Sequence, residues 1–74
     1  MEGKYNSGDV VIAVVDLSIA RNVLSGDRCV IVERDIITER IAQTTEPCYV
    51  VRKENYNMTI LSVRESDLKP VDGE

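Results

Sequence analysis

Few side chains in this 74-residue sequence could do chemistry, and the first of them are two cysteines. Cys29 and Cys48 could bind a metal ion, but two thiolates fill only half of a tetrahedral zinc site, and the chain has no histidine to complete one. Without histidine it also lacks the usual general base for neutral pH. We therefore expect no metal site and no bound cofactor.

Two pairs of closely spaced carboxylates are the other candidates for chemistry. Glu33 and Asp35 stand two positions apart, as do Glu65 and Asp67. Paired carboxylates hydrolyse glycosides only within a cleft, and a chain this short buries too small a core to form a deep one. We interpret both pairs as parts of solvated faces, with Asp67 also capping a local turn, and we predict no catalytic residue and no enzyme activity.

The elements that must position these residues are predicted to be strands. Valine, isoleucine and threonine make up 22 of the 74 residues, and such β-branched side chains fit pleated surfaces better than helices. Clusters rich in Gly, Asn, Asp and Pro divide them into short segments. The predicted strands are Asp9–Val15, Arg28–Asp35, Cys48–Lys53, Met58–Val63 and a short edge strand, Lys69–Val71.

The connections between these strands differ in character. Asp16–Ser25 is either a long loop or one or two helical turns, and we favour the loop because ten residues without a strong cap make a marginal helix. Ile36–Glu46 is interpreted as a connector that ends in polar residues before Pro47, which should lie at a strand entrance because proline cannot donate to a ladder. Glu54–Asn57 is predicted to form a tight hairpin turn, and Arg64–Leu68 a single helical turn.

The cysteines are predicted to be small buried residues rather than reactive ones. If Arg28–Asp35 and Cys48–Lys53 pair antiparallel, the two thiols lie about 16 Å apart at opposite ends of the ladder, beyond the reach of a disulfide. The longest apolar run, Val10–Val15, has six residues, so we expect no signal peptide and no membrane span. We therefore expect a cytoplasmic protein with reduced thiols.

The order of these elements resembles the SH3-like β-barrel. The resemblance covers most of residues 8–71 and consists of a strand after a Gly-Asp turn, a long loop, the turn Leu24-Ser25-Gly26-Asp27, a second strand and loop, a tight hairpin, one helical turn and a short last strand. The segment Val63–Val71 is its most telling part, because these barrels leave their fourth strand through one 3₁₀ turn and enter the fifth. The resemblance implies a single all-β domain, a five-stranded SH3-like barrel. OB-like and KOW-like barrels share much of the pattern.

The chain departs from the ligand sites of that family. Signalling SH3 domains bind proline-rich helices in a groove walled by aromatic residues, including tryptophan, and this chain has three tyrosines and no tryptophan. The resemblance therefore implies a non-catalytic module that contacts another protein, as many small SH3-like proteins do. Small phage-encoded proteins are among them.

Surplus apolar residues are the strongest sequence signal for such a contact. Ile36, Ile37 and Ile41, together with the first long loop, exceed what a small core can hide, so we predict a contact surface for a protein partner or for a homo-oligomer. We also assign Tyr56 in the hairpin turn to this contact surface, because it is the best candidate for an exposed aromatic, while Tyr49 alternates with Val51 as a core residue would.

The alternative hypothesis is a nucleic-acid-associated barrel of the KOW or Tudor type. This hypothesis requires that the strands bring Arg34, Arg52 and Arg64 onto one face, where they would form a local basic strip. The net charge of −4 disfavours a general grip on a phosphate backbone, so we regard nucleic acid as the less favoured partner.

Overall fold

Five antiparallel strands form one sheet in the computed structural model, which describes residues 2–57 and 60–71. The strands run in the order β4-β3-β2-β1-β5 across the sheet. They are β1 (Val10–Ala13), β2 (Arg28–Arg34), β3 (Cys48–Lys53), β4 (Ile60–Arg64) and β5 (Leu68–Pro70), with a 3₁₀ turn, η1 (Glu65–Asp67), before β5. The predicted all-β fold with a turn before its last strand is confirmed. Of the predicted strand Met58–Val63, Met58 and Thr59 lie outside the described residues.

The core lies on one side of the sheet, where alternate residues of neighbouring strands meet. Val11, Ile31, Tyr49 and Val51 are almost fully buried, and Val23 from the first long loop closes over them. Because strand side chains alternate between faces, this pattern follows from the period-two spacing of Cys29 with Ile31, and of Tyr49 with Val51. Tyr49 is a core residue, as predicted.

The first long connection is a loop, as favoured from the sequence, and it carries its own small ladder. Ser18 and Val23 form an isolated antiparallel bridge, with hydrogen bonds from Val23 N to Ser18 O (2.9 Å) and from Ser18 N to Val23 O (3.0 Å). β1 ends at Ala13, earlier than the predicted Val15, because Val14 N donates to Asp67 O at 2.9 Å and so pairs with η1.

Two glycines set the turns that precede β1 and β2. Gly8 and Gly26 both have φ of +93°, a backbone conformation that costs other residues energy. Gly26 N donates to Ala13 O at 2.8 Å, and Gly8 N donates to Ile31 O at 2.8 Å. These bonds attach each turn to the neighbouring strand.

The connector predicted over Ile36–Glu46 is wrong for its first part, because Ile36–Ala42 is an α-helix, α1. Its isoleucines and threonine suggested extended structure, but Asp35 caps the helix and the rest of the segment is held by contacts with β2 and β3. Pro47 immediately precedes β3, in agreement with its predicted position at a strand entrance.

The N-terminal segment lies against the sheet through two tyrosines. The rings of Tyr5 and Tyr49 meet edge to face, with centroids 5.6 Å apart. The Tyr49 hydroxyl donates to Glu65 Oε2 at 2.7 Å and accepts from Tyr5 N at 3.3 Å, while Lys4 N donates to the same Glu65 oxygen at 2.8 Å. This network joins the start of the chain to β3 and η1.

Candidate protein-contact surface

Helix α1 turns its apolar side outward and its acidic residue inward. Ile37 is 71% exposed and Ile41 79% exposed, whereas Glu39 is only 8% exposed. Residues four apart lie on the same side of a helix, so Ile37 and Ile41 form one stripe, with Ile36, 48% exposed, beside it. Surface helices normally show the reverse pattern. We call Ile36, Ile37 and Ile41 the isoleucine face.

The N-terminal end of α1 is fixed by Asp35. Its carboxylate accepts from Thr38 N at 3.1 Å, from Thr38 Oγ1 at 2.7 Å and from Ser62 Oγ of β4 at 2.6 Å. An aspartate at this position satisfies one of the free N–H groups of the first turn. The hydroxyl of Ser62 and the groups of Thr38 favour the ionised carboxylate, so the pKa of Asp35 lies below its usual value.

Glu39 anchors the middle of the helix to the sheet. It accepts hydrogen bonds from Cys48 N at 2.8 Å, from Arg34 Nη2 at 3.1 Å and from Arg34 Nε. The Arg34 hydrogen bonds, followed by the Cys48 amide, hold the pKa of Glu39 below its usual range. A helix rotated to bury Ile37 and Ile41 would lose all three bonds, so this ion pair and amide contact keep the isoleucine face outward.

A groove with a volume of about 550 Å³ runs along α1 on its β4 side. Thr38 and Ala42 line it from the helix, Thr44 and Glu46 from the following loop, and Ser62 and Arg64 from β4. The loop is fixed, because the Glu46 carboxylate accepts from Ser66 N at 2.8 Å and from Ser66 Oγ at 3.0 Å. The isoleucine face therefore borders a depression whose wall is held in place.

The exposed apolar residues of the first long loop form a separate surface. They are Val14, Val15, Ile19 and Leu24, of which Ile19 is 78% exposed. This loop meets the start of β2, whereas α1 follows its end, and a strand of seven residues spans about 20 Å. The single contact region predicted from the sequence is thus divided between two ends of the sheet.

Tyr56 lies at the first-loop end, away from the isoleucine face. It is exposed, and the Lys53 ammonium sits 5.3 Å from its ring centroid. Lys53 Nζ donates to Asn22 O at 2.8 Å and lies 3.4 Å from Asp27 Oδ2. These contacts attach the hairpin to the first loop and leave Tyr56 without any link to α1.

A β-bulge in β2 separates the three arginines of the nucleic-acid hypothesis. Val30 lies opposite Arg52, but after the register shift between Ile31 and Glu33, Arg34 lies opposite Tyr49. Arg64 lies opposite Cys48, on the same face as Arg52. Arg34 therefore points to the opposite face, where it binds Glu39, and the predicted basic strip does not form.

The cysteines and carboxylates occupy structural positions. Cys29 and Cys48 are free and buried, and Cys29 lies opposite Lys53 at the far end of β3 from Cys48. Burial raises the pKa of the Cys29 thiol. Within residues 2–57 and 60–71, no group of three or more metal-ligating side chains could hold a metal ion.

Three of the four paired carboxylates, Asp35, Glu65 and Asp67, are less solvated than the sequence indicated, whereas Glu33 is exposed. Asp67 caps η1 by accepting from Arg64 N at 3.2 Å, which confirms the predicted local turn. Glu65 and Asp35 are only partly exposed and bind Tyr49 and Thr38 respectively. Their roles are to fix loops and caps.

Glu39 is the residue that sequence reasoning missed. A glutamate within a run of isoleucines predicts a polar outer face whether the segment is strand or helix, and the sequence does not name its partners. The sequence signal that could have indicated the helix was Asp35, because aspartate is a favoured N-cap residue and stands directly before the segment.

No protein-family model matches the chain, and neither the curated proteins nor the solved structures yield a match. Among the described residues, no helix has the length and apolar character to cross a membrane.

Proposed function

We propose that this chain is a small non-catalytic protein-binding module and that the isoleucine face of α1 is its contact surface. The observation that carries the proposal is the reversed orientation of α1, with Glu39 buried and Ile37 and Ile41 exposed. Burying one isoleucine side chain stabilises a protein by about 1.5–3 kcal/mol, which this chain forgoes at both positions while it buries a carboxylate instead. A partner that covers the face would recover that stabilisation.

The proposed kinship with SH3-like barrels is supported by the element order. The supporting features are a long loop between β1 and β2, the antiparallel pairing of β3 with β4, and η1 directly before β5. We further propose that the protein resides in the cytoplasm, where its two free thiols would stay reduced.

A photo-crosslinking residue placed in the isoleucine face tests this function. The chain offers a matched control, because Ile41 and Ile19 are 79% and 78% exposed but lie at opposite ends of β2. p-Benzoylphenylalanine would replace Ile41 in one variant and Ile19 in the other, and each would be irradiated in the cells that naturally produce the protein. We expect a discrete protein adduct at position 41 and none at position 19.

Two outcomes would contradict the proposal. The first is the absence of any adduct at position 41 although that variant remains folded by circular dichroism. The second is an equal pattern of adducts at positions 19 and 41, which would indicate nonspecific collisions of exposed side chains.

A further inference from the structure

We infer that the partner of the isoleucine face is a second copy of this chain, packed about a two-fold axis with the two α1 helices antiparallel. The inference rests on the proposed function and names the occupant of that surface. Each copy would place the stripe of Ile37 and Ile41 in the groove of the other, next to Thr38 and Ala42.

The chain supplies both halves of such a contact side by side. Consecutive helical residues are about 100° apart, so Ile37 and Ile41 project next to Thr38 and Ala42, which line the groove. In an isologous dimer the same patch serves on both subunits and must be complementary to itself. An exposed apolar stripe bordering a groove of about 550 Å³ meets that requirement.

Charge at the two ends of α1 favours the antiparallel arrangement. Glu33 and Asp35 precede the helix, and Arg40 lies in its last turn. Arg40 is exposed, and among the described residues its guanidinium has no side-chain hydrogen bond or salt bridge. In an antiparallel pair, Arg40 of each copy approaches the acidic end of the other helix, whereas a parallel pair would set like charges together.

The size of the surface predicts a weak dimer. A helix of seven residues is only about 10 Å long, so the contact falls at the lower end of specific interfaces, which bury about 1,200–2,000 Å². We therefore expect a dissociation constant on the order of 10–100 µM, and association has to be measured over a wide range of concentration.

Sedimentation equilibrium from about 10 µM to about 1 mM tests the inference, because this range brackets the expected dissociation constant. The wild-type chain is expected to shift from monomer to dimer across it. Ile41→Glu should stay monomeric, because dimerisation would strip its carboxylate of water, whereas the similarly exposed Ile19→Glu should dimerise as wild type does. Both variants should keep the wild-type circular dichroism spectrum and melting temperature, since neither side chain packs in the monomer.

A charge exchange tests the direction of packing. Arg40→Glu alone should weaken the dimer at least tenfold, and adding Glu33→Arg in the same chain should restore most of the affinity, since each swapped residue meets its complement on the other copy. Failure of the double variant to regain affinity would overturn the antiparallel arrangement.

The remaining outcomes separate this inference from the proposed function. A wild-type chain that stays monomeric at about 1 mM would overturn the second copy as partner, and adducts with another protein at position 41 would then still support the proposed function. A dimer that Ile19→Glu dissociates and Ile41→Glu does not would overturn the inference by placing the interface on the first loop. Absence of both dimer and adducts would overturn both proposals.

Discussion

Tyr5 and Tyr49 touch each other, yet removing one hydroxyl should affect stability very differently from removing the other. The Tyr49 hydroxyl joins Tyr5 N and Glu65, whereas the Tyr5 hydroxyl is buried and has no hydrogen-bond partner among the described residues. Tyr49→Phe and Tyr5→Phe therefore form a matched pair, because each deletes one oxygen atom from the same aromatic contact.

The expected magnitudes follow from those contacts. A hydrogen bond to a charged group contributes about 1.5–3 kcal/mol, and because Glu65 is partly exposed we expect Tyr49→Phe to cost about 1.5–2 kcal/mol. Tyr5→Phe removes a hydroxyl that folding strips of water without compensation, so the free energy of unfolding should stay the same or rise by about 1 kcal/mol. The two variants should then differ by about 1.5–3 kcal/mol, which is about 6–24 °C in melting temperature for a domain of this size.

Urea unfolding followed by far-ultraviolet circular dichroism measures this difference without relying on tyrosine emission, which the substitutions themselves alter. Equal m-values in the two variants would show that the surface exposed on unfolding is unchanged, so that the midpoints report stability. The double variant should lose no more stability than Tyr49→Phe alone. A loss of stability in Tyr5→Phe as large as that in Tyr49→Phe would refute the reasoning, because it would mean that the two hydroxyls contribute equally.

Three further predictions concern other parts of the fold. The pKa of Glu39 is held below its usual value, so its contribution to stability is complete above the unfolded-state pKa of about 4.5 and is lost as the pH falls through the folded-state pKa. Glu39→Gln should therefore be less stable than wild type at neutral pH and should show a shallower acid unfolding profile by circular dichroism. Cys29 and Cys48 should react with Ellman's reagent only at the rate of unfolding, and rapid native-state labelling would contradict their burial. Gly8→Ala should lower the free energy of unfolding by about 1–2 kcal/mol, because φ at this position is +93°. The loss would come from backbone strain alone, since no atom lies within 4 Å of the added methyl. An unchanged melting curve would show that the turn relaxes.

The strands were predictable because their signals are local. Runs of β-branched residues bounded by Gly, Asn and Pro predicted the first four strands to within two residues, and the short last strand was predicted one residue late. The polar residues between Val63 and Leu68 indicated η1. The first loop could also be anticipated, since Asp16–Ser25 has neither a strong cap nor an alternating pattern.

The helix and the direction of Arg34 were not predictable, because both depend on contacts distant in sequence. The sequence Ile-Ile-Thr-Glu-Arg-Ile-Ala has only moderate helix propensity, and its orientation depends on the amide of Cys48, nine residues beyond Glu39. The prediction that Ile36, Ile37 and Ile41 exceed what the core can hide came from the number of apolar residues in the sequence. That number could not reveal that all three lie on one short helix. Nothing in Val30–Arg34 marks the extra residue of the bulge.

That extra residue in β2 determines which face of the sheet carries Arg34. Up to Ile31 the residue numbers of paired positions on β2 and β3 add to a constant, and the bulge raises that constant by one. If the full-length β2 paired with β3 without the bulge, the first constant would hold along the whole ladder and Arg34 would lie opposite Cys48, on the face that already carries Arg52 and Arg64, so that three cations would form a row. That bulge-free register would take the guanidinium away from Glu39 and release α1. A row of three arginines and an outward-held isoleucine helix are thus mutually exclusive arrangements of this sheet, and the bulge in β2 selects the second.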